Sequence, residues 1–213
     1  MEKVKPSQNL PQGYIQIDQL NLAENRGLAM ILNLAGIGLL FGVGWLLMAS
    51  LAILRPEYLA EENILIITGM REFWRSLLVL VVSLGLMVIL NEGIRLILFW
   101  MVTRQRPQVG IRGFHTYAMA PDWFLPRGDY LLVRLLPILA VTLLGLTAVP
   151  LVHINLVPGV LLLVALNIAA SINDLVTAYW LLRRPKQALV LDRGDDLCLF
   201  HLEAADDQEP AKP

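Results

Sequence analysis

The chain is poor in cysteine, histidine and charge. Cys198 is its one cysteine in 213 residues. That excludes an internal disulfide and a cysteine-rich metal site. There are three histidines, His115, His153 and His201. Asp, Glu, Lys and Arg together make up 16% of the chain, against the roughly 25% of an ordinary soluble protein. The formal net charge is -1. No basic block of the kind that tracks a phosphate backbone occurs, so no nucleic acid is expected as a partner. A secretory signal is not evident either. The first apolar run begins only near Leu28, behind a mostly polar leader, and is too long for a signal h-region.

What the chain has instead is apolar residues in long clusters. They make up 56% of the sequence, with a mean hydropathy of +0.60. Four stretches are long enough to cross a bilayer, where about 20 apolar residues suffice. They are Leu28 to Leu54, Ser76 to Val102, Tyr130 to Val152 and Leu156 to Leu182. Gly36, Gly38, Gly42 and Gly44 in the first predict close helix packing. Arg55-Pro56 ends it. The short apolar piece Ile64 to Ile67 reads as an interfacial helix, with Trp74 as an interfacial anchor in the same loop. In the third, Arg134 lies one turn inside and is expected to snorkel to the headgroups, and Pro137 is expected to kink the helix.

The expected fold is an all-α polytopic membrane protein of about four transmembrane helices. A small β element, a surface strand plus a C-terminal hairpin, lies on the cytoplasmic side. Residues 1–26 form a polar leader in which Tyr14 to Ile17 reads as a short strand or an extended arm. Residues 27–182 form the transmembrane domain, with a surface loop over 104–129. Val109 to Ala118 in that loop alternates as a strand does. Residues 183–202 read as a hairpin around Asp192 to Asp196, and 203–213 as a disordered acidic tail.

Lys and Arg set the expected orientation. Lys3, Lys5, Arg26, Arg104, Arg106, Arg112, Arg127, Arg183, Arg184, Lys186, Arg193 and Lys212 flank one side. Arg55, Arg71 and Arg75 flank the other. Both termini are therefore expected in the cytoplasm, with the surface strand and the hairpin on one side and able to share a sheet.

Charges inside a span are costly and mark a site or a paired contact. The second span carries Asn91-Glu92-Gly93-Ile94-Arg95. Asn91 and Arg95 share a helix face, and Glu92 can pair locally with Arg95. The fourth carries Asn167, Ser171 and Asp174 at i, i+4 and i+7, again one face. Asp174 needs a cation at its depth, and Arg95 is the expected one if the two helices touch. Asp192, Asp195 and Asp196 fit a cation-binding loop or, equally, a turn around Gly194. Cys198 reads as packing and the histidines as ordinary surface residues.

Asn91-Glu92-x-x-Arg95 has the frame of the zincin helix H-E-x-x-H with both histidines replaced. The order of features around it resembles a prokaryotic family of membrane proteins described as zincin peptidases, distantly similar to the site-2 proteases. These features are the motif late in a span, the Gly-rich surface strand ending near Tyr117-Ala118, and Leu136-Pro137 early in a helix. Asn167-x-x-x-Ser171-x-x-Asp174 and Arg184-Pro185-Lys186 with Val190 to Gly194 follow. The resemblance covers roughly residues 76–202 and implies a zinc peptidase in which Glu92 is the general-base position and Asp174 a metal ligand. Asn91 and Arg95 stand where that family has its histidines. Arginine cannot coordinate a metal, and a catalytic zinc site typically needs three protein ligands.

The expectation is therefore a non-catalytic relative without zinc, in which Arg95 takes the electrostatic place of the metal. Its partners would be the lipid bilayer and a membrane protein or peptide, bound by strand addition. Two alternatives stay open: an active membrane-embedded zinc metallopeptidase with unusual ligands, and a small transporter or scaffold.

Overall fold

The computed structural model describes residues 5–22, 24, 26–54, 69–105, 108–112, 115–119, 122–194 and 196–202. The expected interfacial helix at Ile64 to Ile67 and the expected disordered tail fall outside them.

Three helices are long and apolar enough to cross a membrane, and a bent pair supplies a fourth such span. Helix α1 runs Arg26–Leu54 and α2 Met70–Thr103. At 34 residues, α2 is about 50 Å long at 1.5 Å per residue, well beyond the roughly 30 Å hydrocarbon thickness. It begins before the expected Ser76, so Arg71, Trp74 and Arg75 belong to its first turns rather than to a loop. Helix α3 runs Arg127–Ala148 and continues through the buried Pro137.

The break falls in the fourth segment. After a short 3-10 turn at Ile154–Leu156, α4 runs Val157–Ala170 and α5 Ile172–Leu182, bent by 44°. Ser171 is the cause. Its hydroxyl donates to the Asn167 carbonyl at 2.6 Å, and its amide shifts to the Ile168 carbonyl at 3.3 Å. Such back-bonding by a helical serine competes with the i→i−4 ladder and bends it.

α4 is the centre of the bundle and packs on α1, α2 and α3. Small residues permit this. A Cβ on Gly145 of α3 would lie 2.2 Å from Val164 Cγ2, and one on Gly36 of α1 would lie 3.2 Å from the Ala169 carbonyl oxygen. Ser83 of α2 donates to the Gly159 carbonyl at 3.0 Å.

The β structure departs from expectation. Strands β1 (Tyr14–Asn21), β4 (Phe124–Pro126), β5 (Leu189–Asp192) and β6 (Asp196–Leu202) form one antiparallel sheet in the order β1-β6-β5-β4. The expected single surface strand is instead two, β2 (Gln108–Arg112) and β3 (His115–Met119), paired as a separate hairpin. It does not join the C-terminal hairpin, because both outer edges of β5–β6 are already taken. β6 pairs with β1 from the polar leader, across a bulge at Gln16/Asp18, and β5 pairs with β4. The far edge of β4 is met by the leader as well, where Ser7 and Phe124 exchange main-chain hydrogen bonds of 3.1 and 2.7 Å.

β5 is apolar on both faces because both are covered. Val190, Leu197 and Leu199 pack on Phe99, Tyr130, Val133 and Leu181 at the helix ends. Leu189, Leu191, Cys198 and Phe200 form a second cluster with Tyr14 and Phe124. β4 leads directly into α3, and Arg127 N–H donates to the Ala188 carbonyl at 2.9 Å. The sheet is thereby fixed against the end of the bundle where α2 ends and α3 begins.

Candidate functional site

Two polar layers lie one helical turn apart between α2, α3 and the broken fourth span. The deeper layer is built on Asn167, which is fully buried. Its Nδ2 donates to the Ile138 carbonyl at 3.0 Å and to Thr142 Oγ1 at 3.1 Å, both on α3. Its Oδ1 accepts from Asn91 Nδ2 of α2 at 3.0 Å. One side chain therefore joins three helices. An amide inside an apolar bundle has to be satisfied in this way.

The second layer, nearer the sheet, is a chain of alternating charges. Arg95 Nη1 donates to Glu92 Oε1 at 2.9 Å, and Arg95 Nη2 to Asp174 Oδ2 at 2.8 Å. Asp174 Oδ1 accepts from Arg134 Nη1 at 2.8 Å. Arg134 Nη2 then donates to Asp192 Oδ2 at 2.9 Å. Tyr130 closes the chain: its hydroxyl donates to Asp192 Oδ2 at 2.7 Å and accepts from Arg134 Nε at 2.8 Å. The order Glu92, Arg95, Asp174, Arg134, Asp192 thus runs from α2 through α5 and α3 to β5. Glu92 also interacts beyond this pair.

The break at Ser171 places Asp174 in the first turn of α5, where the helix dipole favours a carboxylate. Both of its oxygens are taken by guanidinium groups, so burial of this charge is compensated by charge-assisted bonds. Asn91, Arg95 and Asp174 are each 8% exposed.

The two layers bring together all six residues singled out from the sequence: Asn91, Glu92, Arg95, Asn167, Ser171 and Asp174. Ser171 does so only indirectly, since it bends the helix and bonds its own chain. Arg134, however, does not snorkel to the headgroups. It turns inward, where two carboxylates and a phenol are within reach, so Asp174 has a second cation beside Arg95. Tyr130 and Asp192 were not legible as site residues. Tyr130 and Arg134 stand at i, i+4 on one face of a span, which was the available signal. Asp192 gave none, because it closes a strand and looks like a turn residue.

Asp192 does both jobs. Its Oδ1 accepts the Gly194 amide at 2.8 Å, shaping the β5–β6 turn, while Oδ2 faces Arg134 and Tyr130. Asp196 accepts from Asn21 Nδ2 at 2.6 Å, tying β6 to β1. Asp195 lies outside the described residues. A cation-binding loop of these aspartates is therefore not what the fold builds from Asp192 and Asp196.

His153 and His201 stand apart from the two layers. His153 is exposed beside the 3-10 turn, a full helix length along α3 from β4, and His201 sits at the end of β6. Among the described residues no three His, Cys, Asp or Glu side chains gather as a metal set. The chemistry of the motif agrees. A permanent cation fills the space between Glu92 and Asp174, and Asn91 spends its amide on Asn167. These residues do not fit a zinc ion. Two buried atoms, Asn91 Oδ1 in the deeper layer and Arg95 Nε in the charge chain, have no hydrogen-bond partner among the described residues.

A cavity of about 210 Å³ opens beside the charge chain, lined by Leu20, Leu22, Arg134, Asn173, Thr177, Asp192, Gly194 and Leu197. It is smaller than the roughly 300–1,000 Å³ of drug-sized sites.

No curated protein and no solved structure matches the chain. A family model does, and it covers the motif helix, α3 and the broken span. Residues 84–189 match the model of the family described as "Putative zincin peptidase". That stretch, which holds every residue of the two polar layers except Asp192, belongs to the family that the order of its motifs resembles.

Proposed function

We propose that the chain is an integral membrane protein in which a zincin-type site has become an ion-pair lock, and that it binds a membrane protein or peptide rather than cleaving one. The observation that carries this reading is the position of Arg95, whose guanidinium bonds both Glu92 and Asp174. Those are the two positions at which the family resemblance puts a general base and a metal ligand. Removing a dication from such a site would leave buried carboxylates uncompensated. Arg95 and Arg134 supply the missing positive charge, and no zinc is needed.

The proposed setting is a prokaryotic plasma membrane with both termini in the cytoplasm. The chain topology supports the common side: β1, β4, β5 and β6 sit at one end of the bundle. β2–β3 forms a two-stranded hairpin of its own, and a sheet edge there offers main-chain groups to an extended partner segment.

The test is the metal content of the full chain purified in detergent without chelator, read by elemental analysis beside a peptidase assay. The expected result is zinc far below one equivalent and no cleavage. One tightly held equivalent, lost in E92Q or D174N, would overturn the proposal in favour of an active metallopeptidase with unusual ligands.

A further inference from the structure

Along α5, Leu175, Tyr179 and Leu182 stand at spacings of four and three residues, which is one helix face; Arg183 caps the helix and Lys186 lies in the turn beyond it. All five are exposed, with Leu175 at 38%, Tyr179 at 56% and Leu182 at 59%. The face reads apolar first, then aromatic, then basic toward the sheet end of the bundle.

The two adjacent arginines at its end are divided in role. Arg184 points inward: it stacks on Trp180 at 5.2 Å, ion-pairs with Asp18 of β1, and its carbonyl accepts from Arg127. Arg183 points outward, with its guanidinium carbon 4.4 Å from the Tyr179 ring centroid. Among the described residues neither Arg183 nor Lys186 has a carboxylate partner.

We infer that this face binds an acidic phospholipid, with its headgroup phosphate on Arg183 and Lys186 and its acyl chain along Leu175 and Leu182. The inference rests on the membrane reading above and is independent of the metal question. A cation one turn beyond an apolar face sits at headgroup depth. The planar guanidinium offers two parallel donors to a phosphate. Stacking on Tyr179 holds that fork in place before the lipid arrives, so less side-chain freedom is lost on binding. Each basic residue near an anionic membrane surface contributes roughly fivefold in affinity. The same helix carries Asp174 in its first turn, so a lipid held at its far end would fix the element on which the charge chain depends.

The full chain would be exchanged into mixed micelles of phosphatidylglycerol and phosphatidylcholine with matched acyl chains. Retained lipid is then read by native mass spectrometry. Phosphatidylglycerol should be retained several-fold over phosphatidylcholine. R183Q/K186Q should lose that preference by roughly 5- to 30-fold, while R193Q, which removes an exposed charge from the β5–β6 turn, should keep it. Excess inorganic phosphate should not displace the lipid. Equal retention of the two lipids, an equal loss in R193Q, or displacement by free phosphate would each overturn the inference. If the double variant does not fold, R183Q alone carries the test with the same reading. Recovery of the chain in the membrane fraction reports separately on the membrane reading.

Discussion

Asp174 accepts from Arg95 through Oδ2 and from Arg134 through Oδ1, each at 2.8 Å. One carboxylate in the first turn of α5 thereby holds α2 and α3 at once. Its side chain is 11% exposed, and those of Arg95 and Arg134 are 10% and 21% exposed. Asp174→Ala leaves two guanidinium groups short of a partner inside the bundle. The expected loss is about 3–5 kcal/mol of stability, measured by reversible unfolding in mixed micelles. A loss below about 1 kcal/mol would show that water or lipid headgroups already screen the pair.

Tyr130 is the hinge of the other half of the chain. Its ring is fully buried, and its hydroxyl both donates to Asp192 and accepts from Arg134. Tyr130→Phe keeps the packing and strands Arg134 Nε without an acceptor. An expected cost of about 1–3 kcal/mol follows from an unsatisfied buried donor. Asp192→Asn in the Tyr130→Phe background should cost less than in the wild type, since the two share one network. Strict additivity in that double-mutant cycle would contradict the geometry.

The motif can be pushed back toward its family. In N91H/R95H the cation between Glu92 and Asp174 is gone, and two imidazoles stand at i, i+4 on one face. That variant should take up about one zinc per chain, read by elemental analysis, where the wild type takes up far less. Adding R134M should strengthen uptake, because Arg134 competes with the metal for Asp174. Failure of the well-folded triple variant to bind zinc would show that the helices no longer hold the zincin geometry.

Gly145 lets α3 approach α4. A Cβ there would meet Val164 Cγ2 at 2.2 Å, and Val164 is fully buried with a stiff, branched side chain. Gly145→Ala should therefore cost about 1–3 kcal/mol through overpacking. Much of that loss should return in G145A/V164A, where the clashing methyl group is removed. A thermal melt of both variants in the same detergent decides it.

Cys198 lies within the sheet, and burial pushes its thiol above the ordinary value of 9.0, with Asp196 adding to the rise and Arg193 opposing it. The thiolate is the reactive form, so the folded chain should alkylate with maleimide far more slowly at pH 8 than the denatured chain. The sign for stability follows from linkage. The unfolded thiol ionises at lower pH than the folded one, so this group destabilises the fold as pH rises above about 9. Equal labelling rates before and after denaturation would contradict the buried placement.

The sequence by itself determined the apolar spans and the polar residues inside them. Long runs of apolar residues cannot be anything but membrane-length helices or a large core, and Asn91, Glu92, Arg95, Asn167 and Asp174 are conspicuous within them because charge there is costly. The C-terminal hairpin was legible from two short apolar runs around a Gly/Asp turn.

The tertiary structure decided everything that depends on which element lies beside which. Arg134 near a helix end is equally compatible with snorkelling outward and with pairing inward. Only the placement of α5 and β5, which bring Asp174 and Asp192 within 3 Å of it, selects the second. The leader strand was ambiguous for the same reason, since Tyr14 to Asn21 becomes a strand by pairing with β6, nearly two hundred residues away in sequence. Sequence spacing reports which residues share a face. Which cation meets which carboxylate across that face is settled by packing between helices, and here packing gave Asp174 two.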